Sequence, residues 1–297
     1  MIIVKLMGGL GNQMFQYAAG RRLARANNTD LKLDVSWFSE ASAVAASREY
    51  ALQVFSAVQN IASMDDKTRL KNSLKNKLSV FLKRYLHIMS PLCLQTHIHE
   101  KQFHFDPDIL HLCGEFYIEG YWQTEKYFKD ISGFLISSFR FPPFKDDENK
   151  KFADKILNAQ NAVFIQVRRG DYLAIADTDK IMCSVEYYKK GAEYIAQRVE
   201  NPQFFVFSAE DPDWAIKNLN IGFPFEIIGA ENTGKEKYYE NMHLMSLCRH
   251  AVLANSSYSW WGAWLNQNSN KIIVAPDPWF STDSDIYCDS WVKISRE

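Results

Sequence analysis

Ala162-Val-Phe-Ile-Gln-Val-Arg168-Arg169-Gly170-Asp171-Tyr172 passes in one step from an apolar, β-branched run to two arginines, a glycine and an aspartate. The run predicts a buried strand. In an open parallel sheet, ligands bind beyond the carboxyl ends of strands, so the polar residues that follow are candidate site residues. Arginine is always charged, and its planar fork matches phosphate oxygens two at a time. Gly170 allows a sharp turn or a close backbone approach to a ligand. Asp171 sets a carboxylate beside that cationic pair. Taken alone, the same residues also read as a solvated Arg–Asp pair closing a loop.

The chain downstream decides between these readings. Ser184 is placed to cap a helix with Val185, Tyr188, Ala192, Ile195 and Val199 on one face, stopped at Asn201-Pro202. Phe204–Phe207 predicts a strand ending in Ser208-Ala209-Glu210-Asp211, followed by a short helix near 214–219 and a strand at 225–228. A helix over 236–249 leads to a strand at 251–254, then to Asn255-Ser256-Ser257-Tyr258-Ser259. An aromatic helix, Trp260–Leu265, and a strand at 271–275 follow. This alternation predicts βαβ units on a parallel sheet. Three polar strand ends then share one sheet edge: Arg168/Arg169, Ser208–Asp211 and Asn255–Ser259. The last opens a helix, whose positive end suits phosphate oxygens. Together they indicate a nucleotide-phosphate site.

The first half starts similarly. Residues 2–7 predict a strand, Gly8-Gly9-Leu10-Gly11-Asn12-Gln13 a glycine loop, 14–27 a helix, and Leu31–Val35 a second strand ending near Asp34. This partly mimics the dinucleotide fingerprint, but Met14 stands where its third glycine belongs. Asp65–Leu86 repeats leucine at strict fours among lysines and arginines, predicting a basic amphipathic helix with the make-up to lie on an anionic membrane surface. His97, His99, His104 and His111 lack the helical i,i+4 spacing of a metal pair and read as structural or solvent-facing. The segment 120–128 is rich in aromatics that suit a sugar site or a core. Phe141-Pro-Pro-Phe144 with its following charge run predicts a linker, and hence domains at 1–145, with a helical insertion, and 146–297.

The composition narrows the function class. Thirty-four basic against 35 acidic residues leave a net charge of −1, which does not mark a nucleic-acid binder. Twenty Phe, 14 Tyr and 8 Trp exclude disorder. Five scattered cysteines with no CxxC pair fit a reducing compartment and no cysteine-based zinc site. The start is too short for a signal h-region, and no run approaches the roughly 18 apolar residues of a membrane span. A cytoplasmic protein is expected.

Gly8-Gly-Leu-Gly-Asn-Gln-Met-Phe-Gln-Tyr-Ala18 resembles the N-terminal motif of bacterial α-1,2-fucosyltransferases, glycosyltransferase family 11. Tyr121-Trp-Gln-Thr-Glu-Lys-Tyr-Phe128 is similar to that family's mid-chain segment, and Val167-Arg-Arg-Gly-Asp-Tyr172 to its His-x-Arg-Arg-Gly-Asp-Tyr motif. Leu244–His250 running into Ala254-Asn-Ser-Ser-Tyr-Ser-Trp-Trp-Gly-Ala-Trp-Leu265 resembles its long C-terminal motif. Gln166 departs from the family's usual histidine. Phe207-Ser-Ala-Glu-Asp211 departs from its Phe-Ser-Asp-Asp, leaving the acidic role open between Glu210 and Asp211.

The resemblance implies a GT-B-like α/β fold, two Rossmann-like domains facing a central cleft. GDP-fucose would be held mainly by the C-terminal domain and a galactose-terminated glycan by the N-terminal one. The implied reaction is inverting transfer of L-fucose to the 2-hydroxyl of a terminal β-galactose, with no metal or other cofactor. Donor contacts are then expected from Gly11, Asn12, Gln13, Gln166, Arg168, Arg169, Glu210, Asp211, Asn255, Ser256, Ser257, Tyr258 and Ser259. Arg168 would stabilise the leaving phosphate, and Asp171 is the candidate base, or else a scaffold for the arginines. Two rivals are an NAD(P)-dependent oxidoreductase built on residues 7–34 and a non-catalytic carbohydrate-binding protein using 121–128.

Overall fold

The computed structural model describes residues 1–40, 49–55, 60–73, 77–78, 81, 95–101, 103–169, 182–209, 211–232, 237–280 and 282–297. Gly170, Asp171, Tyr172 and Glu210 lie outside them, as does most of the predicted helix beyond residue 73. The chain divides into two compact units, Met1–Arg140 and Phe141–Glu297. The prolines of 141–144 fall within unit 2 because Phe141 and Phe144 stack on His243, with ring centroids 4.9 and 4.1 Å away.

Unit 1 carries strands β1 (Ile2–Lys5), β2 (Leu31–Asp34), β3 (His97–His99) and β4 (Phe116–Glu119), in the order β2-β1-β4-β3. Every pairing is parallel. Helix α1 (Leu10–Ala26) crosses from β1 to β2; the described residues also form the short α2 (Trp37–Glu40), α3 (Met64–Lys71) and α4 (Ser132–Ser138). Helix α1 begins four residues earlier than its periodicity suggests. Gly9 is the N-cap, and Gly11, Asn12 and Gln13 form the first helical turn rather than a loop. The Gln13 amide closes the first turn onto the Gly9 carbonyl at 3.1 Å. Helix α3 opens with a capping box between Ser63 and Asp66 and closes at Asn72.

Unit 2 is built on β5 (Asn161–Gln166), β6 (Pro202–Phe207), β7 (Phe225–Ile227), β8 (His250–Val252), β9 (Ile273–Asp277) and β10 (Val292–Ser295). Its helices are α5 (Asp147–Asn158), α6 (Val185–Ala196), α7 (Pro212–Asn218), α8 (Glu240–Leu247) and α9 (Ser257–Leu265). The spatial order is β7-β6-β5-β8-β9-β10, all parallel. Numbered from β5, this is the 3-2-1-4-5-6 order of a Rossmann sheet. Val163, Ile165, Val206, Val252 and Val274 are buried on the sheet against Tyr187, Ala192 and Ile195 of α6. Each such aliphatic side chain stabilises the unit by roughly 1.5–3 kcal/mol relative to exposure. The order has one place where connections leave in opposite directions, between β5 and β8, and in sheets of this kind ligands bind there at the carboxyl ends.

Candidate active site

Arg168 and Arg169 leave the carboxyl end of β5 at this switch point. Arg168 Nη1 donates to Ser256 Oγ at 3.0 Å, bridging the ends of β5 and β8. Ser256 is the N-cap of α9, its Oγ also accepting the Tyr258 amide at 3.3 Å. The guanidinium therefore sits at the positive end of a helix, and both groups carry positive charge. Arg169 is held differently. Its Nε donates to Asp211 Oδ2 at 3.3 Å, and its guanidinium lies 3.9 Å over the Trp214 ring.

Asp211 is the N-cap of α7, its Oδ1 accepting the Trp214 amide at 3.2 Å. Ser208 Oγ donates to the Asp211 carbonyl at 2.9 Å, closing the turn after β6. The structure thus brings Arg168, Arg169, Asp211 and Ser256 together around one sheet edge. Gln166 ends β5 beside them; its Oε1 is buried and accepts no hydrogen bond from the described residues. Trp214 was legible in the sequence only as part of a short helix. An aromatic one turn past an acidic N-cap is the signal that could have found it.

Other expected residues are engaged inside the protein. Ser259 is wholly buried, donating to the Ala254 and Ser256 carbonyls at 3.2 and 3.1 Å. Tyr258 donates to the Tyr238 carbonyl at 2.7 Å and accepts the Met242 amide at 2.8 Å. Burial pushes its phenol well above the ordinary range. Asn255 Nδ2 donates to the Trp279 carbonyl at 3.3 Å. These three hold the turn that presents Ser256 and the partly exposed Ser257 at the start of α9.

In unit 1, Gln13 is fully buried and works as a strut. Its Nε2 donates to the Gly8 and Glu49 carbonyls, each at 2.9 Å, and its Oε1 accepts the Ala51 and Leu52 amides. Asn12 Oδ1 accepts Gln123 Nε2 at 2.8 Å, which joins the N-terminal and mid-chain motifs at the carboxyl ends of β1 and β4. Gly8 has φ +73°, and a Cβ there would stand 2.5 Å from Asn12 Nδ2. Gly11 follows in the same turn. Past β4, the Glu100 carboxylate accepts the Tyr121 amide at 2.6 Å and the Trp122 amide at 3.0 Å, holding Trp122 at φ +56°. A cavity of about 330 Å³ opens beside them, lined by His99, Glu100, Phe105, Trp122 and Tyr127 among others. Burial pushes the Glu100 carboxyl up despite those amides.

Asp34 removes the support for a dinucleotide ribose. It is 1% exposed and accepts Tyr117 Oη at 2.6 Å, Lys67 Nζ at 3.0 Å and the Ser36 amide at 3.0 Å. Burial alone would raise its carboxyl, but these bonds hold it at about 2. Among the described residues no helix is long and apolar enough to cross a membrane. Of the predicted basic helix, Leu70 is buried, whereas Leu78 and Phe81 are exposed.

The family profile described as Glycosyl transferase family 11 matches residues 1–295. An alpha-1,2-colitosyltransferase of Escherichia coli is 30% identical over 309 residues, covering 99% of this chain and 99% of its own. The O-antigen biosynthesis glycosyltransferase WbnK of Escherichia coli is also 30% identical, covering 97% of this chain and 99% of its own. A galactoside 2-alpha-L-fucosyltransferase of Bos taurus is 21% identical over 171 residues, 55% of this chain and 46% of that protein. With two Rossmann-like α/β units and a profile match over nearly its whole length, the chain belongs to glycosyltransferase family 11 and is a glycosyltransferase.

Proposed function

We propose that the protein is an inverting α-1,2-glycosyltransferase that moves L-fucose from GDP-fucose to the 2-hydroxyl of a terminal β-galactose. The observation that carries this reading is the pair of guanidinium groups at the β5–β8 switch point. Arg168 reaches Ser256 at a helix N-terminus, and Arg169 is clamped by Asp211 and Trp214. Departing GDP concentrates negative charge on the β-phosphate as the sugar becomes oxocarbenium-like. Preorganised cations at that point stabilise the transition state more than the ground state. Gln166 Oε1 is a buried acceptor beside them, suited to a donor hydroxyl. On the acceptor side, the aromatic cavity of unit 1 suits the apolar face of a sugar.

Single displacement also requires the galactose hydroxyl to lose a proton as it attacks. Asp171, three residues beyond Arg168, is the proposed base. Asp171→Asn is expected to bind GDP nearly as the wild type does while turnover collapses. Parallel loss of GDP affinity and rate would make it a scaffold for the arginines, and retained turnover would remove it from the mechanism.

The reading is tested by incubating the protein with GDP-fucose and simple β-galactosides and determining the product linkage. GDP-colitose is run beside it, because a 30%-identical relative is an alpha-1,2-colitosyltransferase. Transfer from GDP-fucose in α-1,2 linkage supports the proposal. Transfer from GDP-colitose alone would keep the linkage and change the donor; binding of glycan without GDP-dependent turnover would overturn both.

A further inference from the structure

His97, His99 and Glu119 come together far from the arginines of unit 2 in sequence and on the other unit. His97 and His99 are two apart on β3, so both side chains lie on one face of the strand. The parallel register sets His99 opposite Glu119 and His97 opposite Tyr117, which places the carboxylate on that same face. His97 Nε2 lies 3.0 Å from Glu119 Oε2, and His99 Nδ1 lies 3.8 Å from the same oxygen. One ligand atom from each residue falls within 4.8 Å of the other two. Ligands at about 2.0–2.2 Å from a tetrahedral ion stand roughly 3.3–3.6 Å apart, so small side-chain adjustments complete the geometry.

We propose that His97, His99 and Glu119 form a Zn²⁺ site that ties edge strand β3 to β4. The donor set of two imidazoles and one carboxylate suits zinc and disfavours Mg²⁺ or Ca²⁺, which take oxygen ligands. Lys5 Nζ holds Glu119 Oε1 at 2.7 Å, which orients the carboxylate and leaves Oε2 toward the imidazoles. Lys5 also offsets the carboxylate charge, which sets the expected affinity in the micromolar range. The His99 side chain is 61% exposed, so the fourth position opens to water. His99 also lines the unit 1 cavity proposed for the acceptor, but the site contains none of the residues assigned to the donor phosphates or to the base, and zinc binding is measured without turnover.

The full chain, stripped of metal, is titrated with Zn²⁺ against a chromophoric chelator. One site per chain with a micromolar Kd is expected, and Mg²⁺ should not compete. His97→Ala and His99→Ala should each weaken binding by about 10-fold or more, the scale of losing a coordination partner. His104→Ala serves as the control and should bind as the wild type does. His99 is mostly exposed, so His99→Ala keeps the fold, and its melting curve without zinc should match the wild type's. The proposal fails if the wild type takes up no zinc below millimolar concentration, or if both β3 histidine variants retain its affinity.

Discussion

Arg168 and Arg169 are neighbours in sequence, but the protein holds them by different means and they should respond differently to substitution. Arg168 Nη1 donates to Ser256 Oγ at a helix N-terminus, and a guanidinium fork matches phosphate oxygens two at a time. Lysine would keep the charge and lose the bidentate fit. Arg168→Lys is therefore expected to reduce kcat by about 100-fold or more, on the scale of removing one oxyanion donor. A near wild-type rate would move leaving-group stabilisation to Arg169. Arg169 depends on the indole beneath it as well as on Asp211. Trp214→Ala removes a cation–π contact, worth roughly 0.5–2 kcal/mol, and frees the guanidinium. It should weaken GDP binding by about 3- to 30-fold while Arg169 remains present. Unchanged GDP affinity would show that the stack has no part in the donor site.

At the scale of elements, His243 on α8 shows how packing joins the start of unit 2 to its sheet. The imidazole stacks on Phe141 and Phe144, both within 20° of parallel, with Nδ1 buried and without a hydrogen-bond partner among the described residues. Burial pushes it down to about 4 from an ordinary value near 6.5. A histidine with a depressed folded value is neutral in the fold, whereas the unfolded chain takes up a proton below about 6.5. Its contribution is therefore intact above that point and declines as pH falls toward 4. His243→Phe keeps an aromatic stack and removes the titration. The melting temperature of this variant should fall less than the wild type's between pH 7 and pH 5; equal slopes would assign the acid sensitivity elsewhere.

The same region shows what the sequence made legible. β5, β6 and β8 are apolar runs closed by polar turns, and their periodicity read directly as a parallel sheet. Strands β3 and β4 were passed over because His-Ile-His and Phe-Tyr-Ile-Glu carry polar side chains on the face that bears His97, His99, Tyr117 and Glu119. No apolar alternation marks them. The arginines were found because charge at a strand end is visible locally. The Asn12–Gln123 bond and the three-residue His97–His99–Glu119 group were not, since strand pairing rather than sequence spacing creates them. Likewise, Gln13, Tyr258 and Ser259 share motifs with ligand-facing residues, but their hydrogen bonds place them in support of the site.

For the whole molecule, the proposed reaction would have its charge balance set within unit 2. A GDP donor would bring a diphosphate, and the switch point carries two guanidinium groups and a helix N-terminus. The sequence contains four Asp-x-Asp runs that superficially resemble metal sites: Asp106–Asp108, Asp177–Asp179, Asp211–Asp213 and Asp283–Asp285. Asp177–Asp179 lies outside the described residues. Asp211 is committed to capping α7 and pairing with Arg169, so it is poorly placed to carry an ion as well. Transfer is therefore expected to proceed without a divalent metal, and saturating EDTA should leave kcat within about twofold, a change of less than 0.5 kcal/mol in the barrier. The zinc proposed for unit 1 makes a separate expectation under the same treatment: chelation should lower the melting temperature of zinc-loaded protein, because a ligand that binds only the folded state stabilises it. Turnover is accordingly measured well below the melting transition, where loss of that stabilisation leaves the protein folded. Loss of activity in EDTA that manganese restores, at a temperature where the chain remains folded, would overturn the metal-free mechanism. It would also reassign the neutralisation of the leaving diphosphate from the arginines to an ion.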